Sequence, residues 1–150
     1  MRFASVCVLH KFFLRHNLRT SPELHYFPLT VFYEDTDLAG IVYYANYLRY
    51  IERARSTILE EIGIDQSAMR ADDTVFAVSR IEADYLGVAR LGDRLTVITT
   101  HQALSPVRWS FNQEVQLGDK LIFRAYVVAI CMTTSGKPTR LPAEIRAIKE

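Results

Sequence analysis

Cysteine is scarce: the 150 residues contain two, Cys7 and Cys131, and they show neither CxxC nor metal-type spacing. Cys131 lies inside an apolar run, where a free thiol behaves as a small buried hydrophobe, so the chain is expected to work in a reducing, cytoplasmic setting. Long apolar runs are also missing. The stretch from Phe3 to Leu9 is too short to span a bilayer, is broken by His10 and Lys11, and is followed by no small-residue cleavage site, so neither a transmembrane segment nor a secretory signal is expected. No charge of one sign dominates: the formal net charge is +1, which gives no electrostatic reason to expect a nucleic-acid partner. Several chemistries lack their motif. There is no GxSxG elbow, Walker loop, dinucleotide GxGxxG or HExxH metal set, and there is no internal repeat or low-complexity tract.

What is present fits one domain. With 49% hydrophobic residues the chain can bury a single core. Its head differs from its body, because Arg2, Lys11, Arg15 and Arg19 precede Glu23 with no acidic residue among them. Residues 1–23 therefore read as a flexible N-terminal extension, with a basic surface- or partner-binding segment and an organelle address as other readings. Residues 24–150 read as the domain.

Within the domain, Phe27, Leu29, Val31 and Tyr33 alternate as in a strand over Tyr26–Asp35, with Pro28 suited to an edge or strand start. Tyr47, Ile51, Ala54, Ile58 and Ile62 then recur at helical spacing over Tyr44–Ile62, and Gly63 followed by Ile64 forms a stop signal. A polar loop from Asp65 to Asp73 follows. The period next becomes two, giving strands over Thr74–Leu86, Arg94–Gln102, Val107–Gln116 and Leu121–Thr133. Turns are expected at Gly92-Asp93, Leu117–Lys120 and Ser135–Pro138. The order β-α-β-β-β-β calls for an α+β fold in which a mainly antiparallel five-stranded sheet curls around one long helix. One helix cannot cover the whole sheet, so an open face or edge invites a second subunit.

The chemistry concentrates in residues 33–55, YEDTDLAGIVYYANYLRYIERAR, where Asp37 sits in a Gly40-containing turn running into the helix. The first N–H groups of a helix lack intrahelical acceptors and carry a partial positive charge, so a carbonyl oxygen gaining negative charge is stabilised there. Asp37 is the candidate to attack that carbonyl or to activate water toward it. A free aspartate, titrating at about 3.9, is ionised at neutral pH and suits nucleophilic attack, but general-base catalysis remains an equal route. Asp35, two residues earlier, is read as a structural turn residue, with its side chain on the same side as that of Asp37 if the segment is extended. Tyr43, Tyr44 and Tyr47 are candidates to line a substrate pocket, Glu52 and Arg55 to form an i,i+3 pair, and His101 to be a strand residue rather than a base.

The ordered set Tyr33, Asp35, Asp37, Ala39, Gly40, Val42, Tyr43, Asn46, Tyr47, Glu52, Arg53 and Arg55 resembles the signature of the 4-hydroxybenzoyl-CoA thioesterase class of hotdog-fold proteins, and most closely its Tol-Pal system-associated acyl-CoA thioesterase branch. The resemblance covers roughly Leu24 to Lys149. It implies a hotdog fold and hydrolysis of an acyl-CoA substrate to a free acid and CoA without a cofactor. It also implies Asp37 as the catalytic carboxylate, and Gly40 and the Tyr44 backbone N–H at the thioester carbonyl. A homo-oligomer is implied, dimer or tetramer, and acyl carrier protein is an alternative carrier. Many members of the Tol-Pal branch have histidine where this chain has Tyr44, and the aryl-CoA members resemble it better there. CoA brings phosphates, for which Arg90, Arg94 and Arg108 are candidate contacts. An aryl-CoA thioesterase and a non-catalytic acyl-carrier or envelope-associated binding module are the rival readings.

Overall fold

The computed structural model describes residues 23–148; the extension expected over residues 1–23 lies outside the described residues except for Glu23, as does Cys7. The elements in chain order are β1 (His25–Thr30), a 3-10 turn (Tyr33–Asp35), α1 (Asn46–Glu61), α2 (Gln66–Ala71), β2 (Val75–Tyr85), β3 (Arg94–Ser105), β4 (Arg108–Leu117), β5 (Lys120–Met132) and α3 (Ala143–Arg146). The five strands form one antiparallel sheet in the order β1-β3-β4-β5-β2, with α1 packed on its inner face against β1, β3 and β4.

Register explains which residues meet the helix. Phe27 pairs with Val97, Val97 with Val115 and Val115 with Phe123, so one transverse row of apolar side chains faces inward. A second row joins Thr99, Gln113 and Ala125, and a third joins His101, Phe111 and Val127. Against these rows α1 presents Tyr47, Tyr50, Ile51, Ala54, Ile58 and Leu59, all buried. At about 25 cal/mol per Å² of apolar surface removed from water, such fully buried side chains contribute about 1.5–3 kcal/mol each. The helix ends where the sequence requires. Gly63, at φ 83°, donates its N–H to the Glu60 carbonyl and Ile64 donates to the Leu59 carbonyl, with Ile64 and Leu59 both buried.

Four sequence expectations are corrected. The first strand stops at Thr30, because the Asp35 carboxylate accepts the Phe32 N–H at 2.8 Å and tightens the chain into the 3-10 turn. Period-two geometry therefore does not carry Asp35 and Asp37 to one side, as an extended segment would have done. The long helix begins at Asn46, with residues 44 and 45 in a turn before it. Part of the expected loop from Asp65 to Asp73 is α2, nucleated by the Asp65 side chain accepting the Ser67 and Ala68 N–H groups. The short α3 was not expected, and it buries Ile145 beside Leu141.

Candidate active site

The Asp37 loop is held from three directions. Thr36 and Val42 pair across it, the Asp37 N–H donates to the Ile41 carbonyl at 3.1 Å, and the Gly40 N–H donates to the Asp37 carbonyl at 2.9 Å. Gly40 adopts φ 72°, a left-handed geometry that a side chain resists, which explains the residue type at that turn. From below, Asp35 is buried and its carbonyl accepts both the Tyr43 N–H at 2.9 Å and the Asn46 side-chain amide at 2.8 Å. From the side, the Val42 N–H donates to the Ala89 carbonyl at 2.8 Å, fastening the loop to the segment between β2 and β3. Asp35 thus has the structural role expected of it.

This frame sets Asp37 at the surface, beside the start of α1. Its Oδ1 accepts the Ala39 N–H at 2.9 Å, and Oδ2 accepts no hydrogen bond among the described residues. The Asn46 N–H is satisfied by the Tyr43 carbonyl, whereas among the described residues the Tyr44 N–H has no acceptor. On the far side of that residue the Tyr85 hydroxyl donates to the Tyr44 carbonyl at 3.1 Å, which fixes the orientation of the residue. A carboxylate with one oxygen free and an N–H without an acceptor among the described residues are therefore held in one loop that leads into α1.

Aromatic rings line the approach. Tyr43 and Tyr44 lie 4.7 Å apart by centroid, Tyr44 and Tyr85 6.1 Å, Tyr85 and Tyr47 5.9 Å, and Tyr47 stacks on Phe123 at 5.1 Å. Tyr47 is buried at the base of this set, and burial is the main reason its hydroxyl pKa is pushed up. Tyr43 also titrates above its ordinary value, through Tyr44 first and in the smallest measure through the negative charge of Asp37. Below them the Tyr50 hydroxyl is buried close to the Asp35 carboxylate. Burial first, and that charge second, raise its pKa.

Other expected residues separate. Arg90 is exposed on the segment that holds the Asp37 loop, its N–H bonded to the Asp93 carboxylate at 2.8 Å, and Arg94 starts β3 at the same end of the sheet. Arg108 starts β4 at the opposite end, seven residues before Val115, which pairs with Phe123. At about 3.3 Å per strand residue that is roughly 23 Å, so Arg108 does not join Asp37 within one protomer. His101 is a strand residue: its Nδ1 accepts the Trp109 Nε1–H at 3.2 Å and burial lowers its pKa. Cys131 is a buried free thiol whose pKa burial raises. Glu52 and Arg55 do not form the expected ion pair. Glu52 accepts the Ser56 hydroxyl at 2.7 Å, while Arg55 turns inward and donates from Nη1 to Gln113 Oε1 at 2.7 Å. Gln113 lies within the expected strand Val107–Gln116, where a polar side chain in step with Trp109, Phe111 and Val115 is the one sequence signal of its role.

The fold is that of the hotdog thioesterases, and comparison with known proteins agrees. Residues 31–148 match the thioesterase-like superfamily, to which the chain belongs. Among its relatives is the acyl-CoA thioester hydrolase YbgC of Escherichia coli O6:H1, 34% identical over 122 residues, which span 80% of this chain and 91% of YbgC. The crystal structure of a probable thioesterase from Bartonella henselae superposes with a TM-score of 0.75 at 30% identity, covering 80% of this chain and all of that one. A 1,4-dihydroxy-2-naphthoyl-CoA thioesterase from Synechocystis, 23% identical, shares the fold with a TM-score of 0.78 over 83% of this chain and 93% of its own.

Proposed function

We propose that the protein hydrolyses acyl-CoA thioesters to a free carboxylic acid and CoA, with Asp37 as the catalytic carboxylate and the Tyr44 N–H polarising the thioester carbonyl. The observation that carries this reading is that the loop leading into α1 holds both the Asp37 carboxylate, with one oxygen free, and the Tyr44 N–H, without an acceptor among the described residues. In one route an Asp37 oxygen bonds to the acyl carbon, the C–S bond breaks and CoA leaves as thiolate. Water then cleaves the resulting anhydride. In the other, water adds directly while Asp37 takes its proton. Both develop negative charge on the carbonyl oxygen, where the helix start and the Tyr44 N–H stabilise it. Thiolate is a good leaving group, so neither route requires a strong general acid.

The acyl group meets Tyr43, Tyr44 and Tyr47, and Arg90 is the candidate for the CoA phosphates; Arg108 would serve only a site completed by another protomer. The tyrosine-lined approach supports an aryl-CoA substrate as the second reading. Support for a homo-oligomer, at least a dimer, comes from β2. This strand of 11 residues pairs on one side only, and its inner-facing Val78, Ile81 and Tyr85 are 53%, 40% and 47% exposed. A second copy adding along that edge would cover them. A tetramer, acyl carrier protein as alternative carrier, association with the Tol-Pal system and a cytoplasmic location complete the proposal. The buried free thiol of Cys131 supports the last.

The test is thiol release from acetyl to palmitoyl and benzoyl-type CoA thioesters by wild type and Asp37→Asn. Turnover that falls about 10³-fold, roughly 4 kcal/mol, identifies the enzyme and its substrate class together. No release by folded wild type on any member refutes the proposal in favour of a binding module.

A further inference from the structure

In a regular helix the Leu48 N–H would reach the carbonyl four residues back, that of Tyr44. Here it bonds to the Ala45 carbonyl at 3.2 Å, three back, and the Tyr44 carbonyl instead accepts the Tyr85 hydroxyl at 3.1 Å. The other end of that peptide unit is the Ala45 N–H, which has no acceptor among the described residues, just as the Tyr44 N–H before it has none. Two successive donors at the start of α1 are therefore free. A side chain 41 residues away in the sequence holds the carbonyl of the peptide that carries the second.

Tyr85 is itself held in place. It is the last residue of β2, opposite Phe123 of β5, and the two residues after it both donate their N–H groups to the Ile122 carbonyl, at 2.9 and 3.0 Å. Glycine at position 87 permits that close approach, because a Cβ there would lie 3.0 Å from Ile122 Cγ2. The Tyr85 ring meets Tyr44 and Tyr47 edge-on at 6.1 and 5.9 Å by centroid, and Phe123 at 5.1 Å, so neighbouring rings fix its direction. Burial first, and Tyr44 second, raise its pKa, so the hydroxyl keeps its proton and remains a donor at neutral pH. A hydrogen bond accepted by a peptide carbonyl polarises the whole unit and makes its N–H a stronger donor. The contact lies within one protomer and requires no open surface along β2.

We propose that Tyr85 is a positioning residue for the donors that polarise the thioester carbonyl. Its hydroxyl holds the peptide between Tyr44 and Ala45 and strengthens the Ala45 N–H as a second donor, next in the chain to the Tyr44 N–H. This rests on the hydrolysis proposed above and adds to it a residue from outside the Asp37 loop.

Tyr85→Phe keeps the ring and removes only the hydroxyl. On whichever CoA thioester of the acetyl to palmitoyl and benzoyl panel is turned over fastest, its kcat should fall about tenfold, as the loss of one hydrogen bond allows, with KM changed by less than about twofold. That is well short of the roughly 10²- to 10³-fold lost with a donor that touches the oxyanion itself. The second readout is the infrared stretch of the same thioester, isotopically labelled at its carbonyl and bound to Asp37→Asn to slow turnover. The stretch should lie at lower frequency than in water, and adding Tyr85→Phe should return part of that shift. A kcat within about twofold of wild type in folded Tyr85→Phe overturns this inference and leaves the hydrolase reading standing. So does a loss carried by KM, which would make the hydroxyl a substrate contact, and so does a carbonyl stretch that Tyr85→Phe does not move. Failure of folded wild type to release thiol from any member of the panel overturns both.

Discussion

Replacing Gln113 by leucine should be among the most damaging single changes in the inner face of the sheet, although it exchanges a polar core residue for an apolar one of similar size. Gln113 makes three hydrogen bonds: one accepted from Arg55 at 2.7 Å, one donated to the Ile51 carbonyl and one donated to Thr99. Leucine breaks all three. A hydrogen bond to a charged group contributes about 1.5–3 kcal/mol, and buried partners left unsatisfied add about 1 kcal/mol or more each. Burial of the extra apolar surface returns about 1 kcal/mol. The net loss is about 3 kcal/mol, or a Tm lowered by roughly 6–12 °C for a chain of this size.

The decisive assay is a double-mutant cycle with Arg55→Met, read by thermal and urea unfolding at fixed protein concentration so that any oligomerisation is held constant. If Gln113 and Arg55 act through each other, the double variant retains at least about 1.5 kcal/mol more stability than the sum of the single losses predicts. Removing both partners leaves neither an unpaired cation nor an unpaired Oε1. A single Gln113→Leu loss below about 0.5 kcal/mol, or strict additivity in the cycle, would refute the assigned coupling.

Three further outcomes follow from the same physical reasoning. Tyr50→Phe should stabilise by about 1 kcal/mol, raising Tm by roughly 2–4 °C, because the hydroxyl it removes is buried without a partner among the described residues. A loss of stability on calorimetry would mean that this hydroxyl bonds to Asp35. Gly40→Ala should cost about 1–2 kcal/mol from its φ of 72° alone, since a Cβ there meets no atom within 4 Å, and should lower thiol release by disturbing the Asp37 turn. Unchanged stability would remove backbone strain as the reason for glycine there. The lowered pKa of His101, caused first by burial and then opposed by Glu23 and aided by His25, favours its neutral form in the fold. Its contribution is therefore fully present above the unfolded value of about 6.5 and is lost as pH falls from there toward the folded pKa. Urea midpoints tracked by Trp109 fluorescence should decline across that interval, with a smaller decline in His101→Gln; identical slopes would exclude His101 as the cause.

The sheet was legible in the sequence because each buried strand alternates, and alternation is a local property. Trp109, Phe111, Gln113 and Val115, two apart in the strand expected over Val107–Gln116, share one face for that reason alone. The ends of elements were less legible, because single side chains far from the periodic pattern decide them. The Asp35 carboxylate on the Phe32 N–H ends β1 early, and the Asn46 amide on the Asp35 carbonyl ties the start of α1 to the same turn. The position of the Asp37 loop was legible because a carboxylate, a glycine with positive φ and a helix start succeed one another in the chain.

The inward turn of Arg55 was not legible. Spacing alone pairs it with Glu52, three residues earlier on the same helix, and in water that pair would form. In the fold, Arg55 lies over Phe111 and finds Gln113, 58 residues away, whose amide is already oriented by Ile51 and Thr99. An exposed i,i+3 pair is worth only a few tenths of a kcal/mol, whereas a hydrogen bond from a partly desolvated guanidinium to a fixed acceptor is worth several times that. The long-range contact therefore wins over the local one. The same reasoning separates the two polar centres of the molecule: Asp37 stands in a turn held mainly by contacts among residues 32–46, and Arg55 stands where only the assembled sheet can fix it.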